Sequence, residues 1–227
     1  IYSARQVTLA LDLKREDRIL ELGCGVGRIG RELARQVAHW EGCDISSNMI
    51  DVARERLAEF PNIGLTELHR SSLEPLPGDS FDKAYCVAVF IHMDKEDFFL
   101  YLQDIARVLK PGGLLYFDTW NMSSKVGWRR YALEIAAYAD ADHAKRKDVA
   151  RNQFSCPEEV SVFLDHAGFD LLLILSESPW VQAVAVKRGS DVDLADLRAM
   201  MKARAPRIAY TPLWTELFDS IIDVVTG

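Results

Sequence analysis

The stretch Arg18-Ile-Leu-Glu-Leu-Gly-Cys-Gly-Val-Gly-Arg28 constrains this chain more than any other. A short apolar run ends in an acidic residue, after which Gly23, Gly25 and Gly27 alternate with other residues. Glycines this closely spaced let the backbone turn sharply after a strand and approach a ligand with no Cβ in the way. The segment from Arg28 to Val37 reads as a helix, whose first N–H groups point at the loop and favour a negatively charged ligand group there. Strand, glycine turn and helix together make a nucleotide-type site.

Dinucleotide-binding folds favour G-x-G-x-x-G, whereas this chain has G-x-G-x-G with Glu21 just before it and Gly30 three places after Gly27. The glycines alone therefore leave a nicotinamide oxidoreductase open. Three later blocks decide the matter: Cys43-Asp-Ile-Ser46 with Met49 and Ala53, Phe81-Asp82, and Val108-Leu-Lys-Pro-Gly-Gly-Leu-Leu-Tyr-Phe117. With Leu20–Gly27, these stand in the order and at the spacing of the class I S-adenosylmethionine (SAM)-dependent methyltransferases. The chain resembles the small-molecule branch of that family over roughly residues 1–188. The resemblance implies SAM as cofactor and S-adenosyl-L-homocysteine as product.

Apolar periodicity predicts helices over 3–13, 28–37, 46–60, 94–109 and 157–167, and strands over 18–22, 40–44, 63–69, 83–87, 114–118, 170–176 and 181–187. Strands alternating with helices predict an α/β fold, a Rossmann-like, seven-stranded, mostly parallel sheet with helices on both faces. In such sheets ligands lie beyond the carboxyl ends of the strands, at the switch point; Glu21, Asp44, Ser72, Val87 and Asp118 fall at or just past those ends. Residues 1–188 read as the cofactor-binding domain, with a substrate cap inserted at about 119–156, and residues 189–227 as a helical extension at 191–204 and 211–225.

Asp44 ends the second strand about twenty residues after the glycine loop, where a carboxylate accepts both ribose hydroxyls; otherwise it is a solvated loop aspartate. By resemblance, Gly23, Cys24, Gly25 and Gly27 face the methionyl part of the cofactor. Ile45 packs on the adenine with Met49 nearby, unless both are ordinary core. Glu21 braces the loop and the methionyl ammonium, or else pairs with Arg18 or Arg28. Many relatives carry an aspartate that accepts from the adenine amine; aligning Leu76-Pro77 puts Ser72 in that place, with the N–H of Leu73 directed at the ring. Tyr2 and Arg5 are expected at the methionyl carboxylate.

His92, in Phe90-Ile-His-Met93, follows the fourth strand, where a relative's histidine can serve as general base or position the acceptor. An imidazole of reference pKa ~6.5 can take a proton from a hydroxyl or ammonium at neutral pH; the competing role is a helix cap or core packing. Trp120 and Asn121, directly after the fifth strand, then Trp128, Arg129 and Tyr131, are the expected substrate contacts, against the alternative of a helix that packs its aromatics on the sheet edge. Lys145-Arg-Lys147 reads as a solvated face.

Composition narrows the partners. A net charge of −7 over 227 residues argues against a nucleic-acid partner, which leaves a basic footprint. Cysteines 24, 43, 86 and 156 show neither C-x-x-C nor zinc spacing and read as reduced thiols, mostly small core hydrophobes, in a cytoplasmic protein with no bound metal. No apolar run is long enough to span a membrane. The chain begins at Ile1 rather than Met, so residues are expected upstream. A nucleic-acid amino-methyltransferase would show Asn/Asp-Pro-Pro-aromatic where Cys86-Val-Ala-Val-Phe90 stands. The expected activity is methyl transfer to an oxygen or nitrogen nucleophile of a small organic molecule. The rivals are a ligand- or partner-binding relative without turnover, and an enzyme acting on protein or RNA.

Overall fold

A computed structural model describes residues 2–142, 144, 152–177, 179–210, 216, 217 and 220. Helix α1 (Tyr2–Leu11) precedes β1 (Arg18–Leu22), α2 (Arg28–Leu33), β2 (His39–Asp44), α3 (Ser47–Arg56), β3 (Ile63–Glu67) and β4 (Phe81–Cys86). A 3₁₀ turn (Phe90–His92), α4 (Lys95–Val108), β5 (Leu109–Asn121), α5 (Lys125–Ala137) and β6 (Phe154–Ser155) follow. The described elements close with α6 (Pro157–His166), β7 (Phe169–Leu175), β8 (Trp180–Lys187) and α7 (Leu194–Ile208). The strands lie in the order β3-β2-β1-β4-β5-β8-β7, with β6 paired to the end of β5. Among the described strands only β8 runs against the others. The order reverses between β1 and β4, which sets the ligand crevice beyond their carboxyl ends.

Strand side chains alternate between faces, and that alternation builds two cores. Leu20, Leu22, Cys43, Cys86, Leu115 and Phe117 pack under α4 and α6. Ile19, Trp40, Tyr85, Leu114, Tyr116 and Val184 pack under α1, α2 and α7. Cys24, Cys43 and Cys86 are buried and unbridged, and Cys156 is unbridged and half-buried.

The expected seven strands are present, and the structure adds three departures with physical causes. The two-residue β6 is too short for any periodic signal. Strand β5 is longer than expected: Phe81 pairs with Leu109 and Lys83 with Leu114, so Lys110–Gly113 bulges out and pairing resumes beyond Pro111-Gly-Gly113. Helix α2 stops at Leu33 rather than Val37, because the Asn62 side-chain amide donates to the carbonyls of Ala34 and Val37 at 2.8 and 3.1 Å. That cap comes from a residue far along the chain.

The extension after residue 189 folds onto the same body. Asp193 caps α7 through the N–H groups of Ala195 and Asp196. Met201 and Ile208 are fully buried in the core beneath α1. Arg204 pairs with Asp12 at 2.7 Å and donates to the carbonyl of Leu9. Of the second expected helix in this extension, only residues 216, 217 and 220 are described. Among the described residues no helix is long and apolar enough to cross a membrane.

Candidate active site

The glycine loop is held from the second strand. The N–H groups of Gly23 and Cys24 both donate to the Cys43 carbonyl, at 2.7 and 2.9 Å. The N–H of Gly25 donates to Asp44 Oδ2 at 2.8 Å, and Asp44 Oδ1 accepts from the N–H of Ser46 at 2.9 Å. Asp44 is therefore fixed at both oxygens, tying the loop to the start of α3, which Ser46 caps by accepting from the N–H of Met49. The solvated-aspartate reading falls. Gly23, Gly25 and Gly27 all have positive φ, at 70°, 51° and 71°, a region L-residues rarely hold. A Cβ on Gly23 would strike Val89 and one on Gly27 would strike Leu57, whereas one on Gly25 would meet nothing within 4 Å. Two of the glycines serve packing, and the third opens onto vacant space above the loop.

Ile45 and Met49 are not core. They are 69% and 43% exposed at the mouth of β2, apolar side chains left facing outward beside Asp44. Val87, at the end of β4, is half-buried, and Cys24 is buried under the loop.

Glu21 differs from expectation. Among the described residues its hydrogen bonds go to neither Arg18 nor Arg28, although the charge of Arg28 acts on its carboxyl. Glu21 Oε2 accepts from Trp40 Nε1 at 3.2 Å and from the Tyr85 hydroxyl, in the core beneath the loop. Burial pushes its carboxyl up to about 8, against the lowering effect of those two hydrogen bonds. The unfolded chain releases this proton near 4.5 and the folded chain only near 8, so the folded state binds more protons between those values. Stability should therefore fall as pH rises through that window and level off above it. Asp118, pushed up to about 6 by burial, adds to the fall at the lower end. Glu21→Gln, which keeps an acceptor for Trp40 and Tyr85, should remove ~2–4 kcal/mol of this pH dependence. Urea unfolding across the pH range measures it; an unchanged slope in the variant would place the titrating group elsewhere.

The expected adenine contacts are not presented to the crevice. The Ser72 hydroxyl donates to Asp104 Oδ2 at 2.7 Å, and the N–H of Leu73 donates to the same oxygen at 2.7 Å. Both groups are committed to α4, whose Asp104 lies 31 residues from Leu73. At the amino end, Arg5 is exposed and the Tyr2 side chain lies outside the described residues. On the same helix Gln6, which the sequence reading missed, is 2% exposed, and both atoms of its amide lack a partner. A lone glutamine on an amphipathic helix carries no signal that it will face inward.

Beyond β4 and β5, His92 is exposed on the 3₁₀ turn, which excludes the core role. Trp120 is buried, stacked on Trp180 with ring centroids 4.5 Å apart, and belongs to a cluster with Ile91, Phe154 and Tyr131. Asn121 is a structural residue: its Nδ2 donates to the Ser176 carbonyl and its Oδ1 accepts from the N–H of Ser123. On α5, Tyr131 packs edge-on against Phe154, Arg129 is half-buried, and Trp128 is 57% exposed. His143 and Lys145-Arg-Lys147 lie outside the described residues.

A methyltransferase domain model matches residues 19–113, from β1 to the bulge of β5. Methyltransferase GfsG of Streptomyces halstedii is 35% identical over 111 residues, a match covering 46% of this chain and 38% of that protein. The ubiquinone biosynthesis O-methyltransferase of Azoarcus sp. (strain BH72) is 26% identical over 188 residues, covering 78% of this chain and 75% of that one. Among solved structures, a SAM-dependent methyltransferase from Methanosarcina mazei superposes with a TM-score of 0.65 at 22% identity, over 78% of this chain and 95% of that one. Residues 19–113 form a methyltransferase domain, and the chain has the fold of SAM-dependent methyltransferases.

The residues of this methyltransferase domain fit its cofactor. Open space lies above Gly25, Asp44 is bonded to the loop beside it, and Ile45 and Met49 are exposed apolar side chains next to Asp44, a set that would suit the methionyl chain, the ribose and the adenine in turn. Asp44→Ala removes the acceptor of the Gly25 and Ser46 N–H groups and, if the ribose lies there, that of its hydroxyls. Charge-assisted bonds of this kind contribute ~1.5–3 kcal/mol each, so SAM affinity should fall at least tenfold. An unchanged dissociation constant by calorimetry would sink the ribose assignment.

Proposed function

We propose that this methyltransferase moves the SAM methyl group to an oxygen or nitrogen nucleophile of a small organic acceptor with an apolar or aromatic body. The observation that carries this reading is the aromatic cluster at the carboxyl end of β5: Trp120 and Phe154 are buried with Trp180 and Tyr131 half-buried around them, and α5 sets the exposed Trp128 beside Tyr131. Residues 119–156 then act as the cap over the acceptor. The relative named for O-methylation in ubiquinone biosynthesis favours oxygen as the nucleophile.

SAM, when bound, supplies a methyl group on a cationic sulfur and leaves as the neutral thioether S-adenosyl-L-homocysteine. The protein's task is alignment, and orienting two reactants can lower a barrier by ~7–11 kcal/mol. The glycine loop and Asp44 hold the donor side, and the aromatic cluster holds the acceptor side. His92 takes the proton that the acceptor's O–H or N–H gives up as the new bond to carbon forms. Incubation with SAM and a panel of phenols, alcohols and amines, read by mass spectrometry, tests the proposal. Methylation of a protein or an RNA, with none of the panel modified, would overturn it.

A further inference from the structure

The segment that follows α7 reaches back to the ends of the central strands. Asp118, near the carboxyl end of β5, is 1% exposed. Its Oδ1 accepts from the N–H of Ala88 at 2.6 Å, and its Oδ2 accepts from the hydroxyl of Tyr210. Tyr210 follows α7, 92 residues further along the chain. Its own N–H donates to Gln182 Oε1 at 2.9 Å, while Gln182 Nε2 donates to the Tyr116 hydroxyl and to the Ile208 carbonyl. Segment 208–210 is thus fastened to β5 and β8 through buried polar groups. A buried network of this kind holds one arrangement when its members are satisfied.

The carboxylate at its centre bears on the cofactor loop. Ala88 has φ of 58°, a conformation an L-residue keeps only where its surroundings enforce it. The next residue, Val89, has its side chain in the space a Cβ on Gly23 would occupy, 2.3 Å from that point. The Val89 carbonyl accepts from the N–H of His92 at 2.9 Å. The turn fixed at Ala88 therefore sets both the support beneath the glycine loop and the place of His92.

We propose that Asp118 and Tyr210 are positioning residues of the cofactor site, through which docking of the C-terminal segment holds the Ala88 turn against the glycine loop. The proposal rests on the cofactor lying over Gly25. Tyr210→Phe removes one hydroxyl and keeps both the main-chain bond to Gln182 and the ring packed edge-on against Trp180. Asp118→Ala removes both acceptors, and Asp118→Asn returns an oxygen for Ala88 and an amide that can donate to the Tyr210 oxygen.

The test is calorimetric titration with S-adenosyl-L-homocysteine, well below each variant's unfolding temperature, with thermal unfolding in parallel. Asp118→Ala should weaken binding by about tenfold or more and Tyr210→Phe by about threefold or more, as expected for lost buried hydrogen bonds that preorganise a site. Asp118→Asn should restore binding to within about threefold of the parent, the span of a single altered bond. A merely structural role would lower the unfolding temperature and leave the dissociation constant alone, and that result overturns the proposal. If Asp118→Ala does not fold, Tyr210→Phe decides alone. Gly25→Val in the same assay separates the failures. If it binds normally, the placement of the cofactor over the loop is wrong. If it abolishes binding while Tyr210→Phe binds like the parent, the coupling is wrong.

Discussion

Gly25→Val is expected to abolish SAM binding while the protein still unfolds cooperatively. The three loop glycines are not equivalent, and the difference makes the experiment clean. At Gly23 and Gly27 a new side chain would collide with Val89 or Leu57, so substitutions there would confuse folding with binding. At Gly25 nothing lies within 4 Å of the added Cβ, so the valine enters the space assigned to the methionyl chain rather than another side chain. The folded state bears only the strain of an L-residue in the left-handed region, ~1–2 kcal/mol. Displacing the ligand from this volume should cost more than a hundredfold in affinity, ~2.7 kcal/mol. Calorimetry with S-adenosyl-L-homocysteine and a thermal scan measure the two quantities separately. Normal binding by the variant would mean that the ligand does not cross the loop at Gly25.

His92→Ala is expected to lower turnover by ~10²–10⁴-fold, the usual range for a lost general base, with cofactor affinity nearly intact. The residue is exposed on the turn after β4, adjacent to the switch point, and its side chain is in none of the hydrogen bonds that hold Asp44 and the glycine loop. The substitution leaves the turn's own hydrogen bond, His92 N–H to the Val89 carbonyl, in place. Turnover is read with an acceptor drawn from the panel. Full activity would make His92 a bystander, and the aromatic cluster around Trp120 would then align the reaction without a base.

Much of this molecule is written in short-range pattern. Apolar runs of strand length, the glycine loop and the serine cap at Ser46 are signals within a few residues, and each depends on backbone conformation that neighbouring residues dictate. The order of strands and helices, the switch point between β1 and β4, and the pinning of Asp44 beside the loop follow from them. What escaped sequence reading involves partners distant in the chain. Asn62 ends α2, Asp104 claims Ser72 and the N–H of Leu73, and Trp40 with Tyr85 enclose Glu21. Tyr210 reaches Asp118 from 92 residues further along the chain. Each of these polar groups is aqueous in the unfolded chain and must find a partner only once packing removes water. Local periodicity determined which segments form strands and helices and where the ligand crevice lies. Burial in the assembled sheet, acting between residues that no spacing relates, decided which polar groups around that crevice serve the fold and which face the ligand.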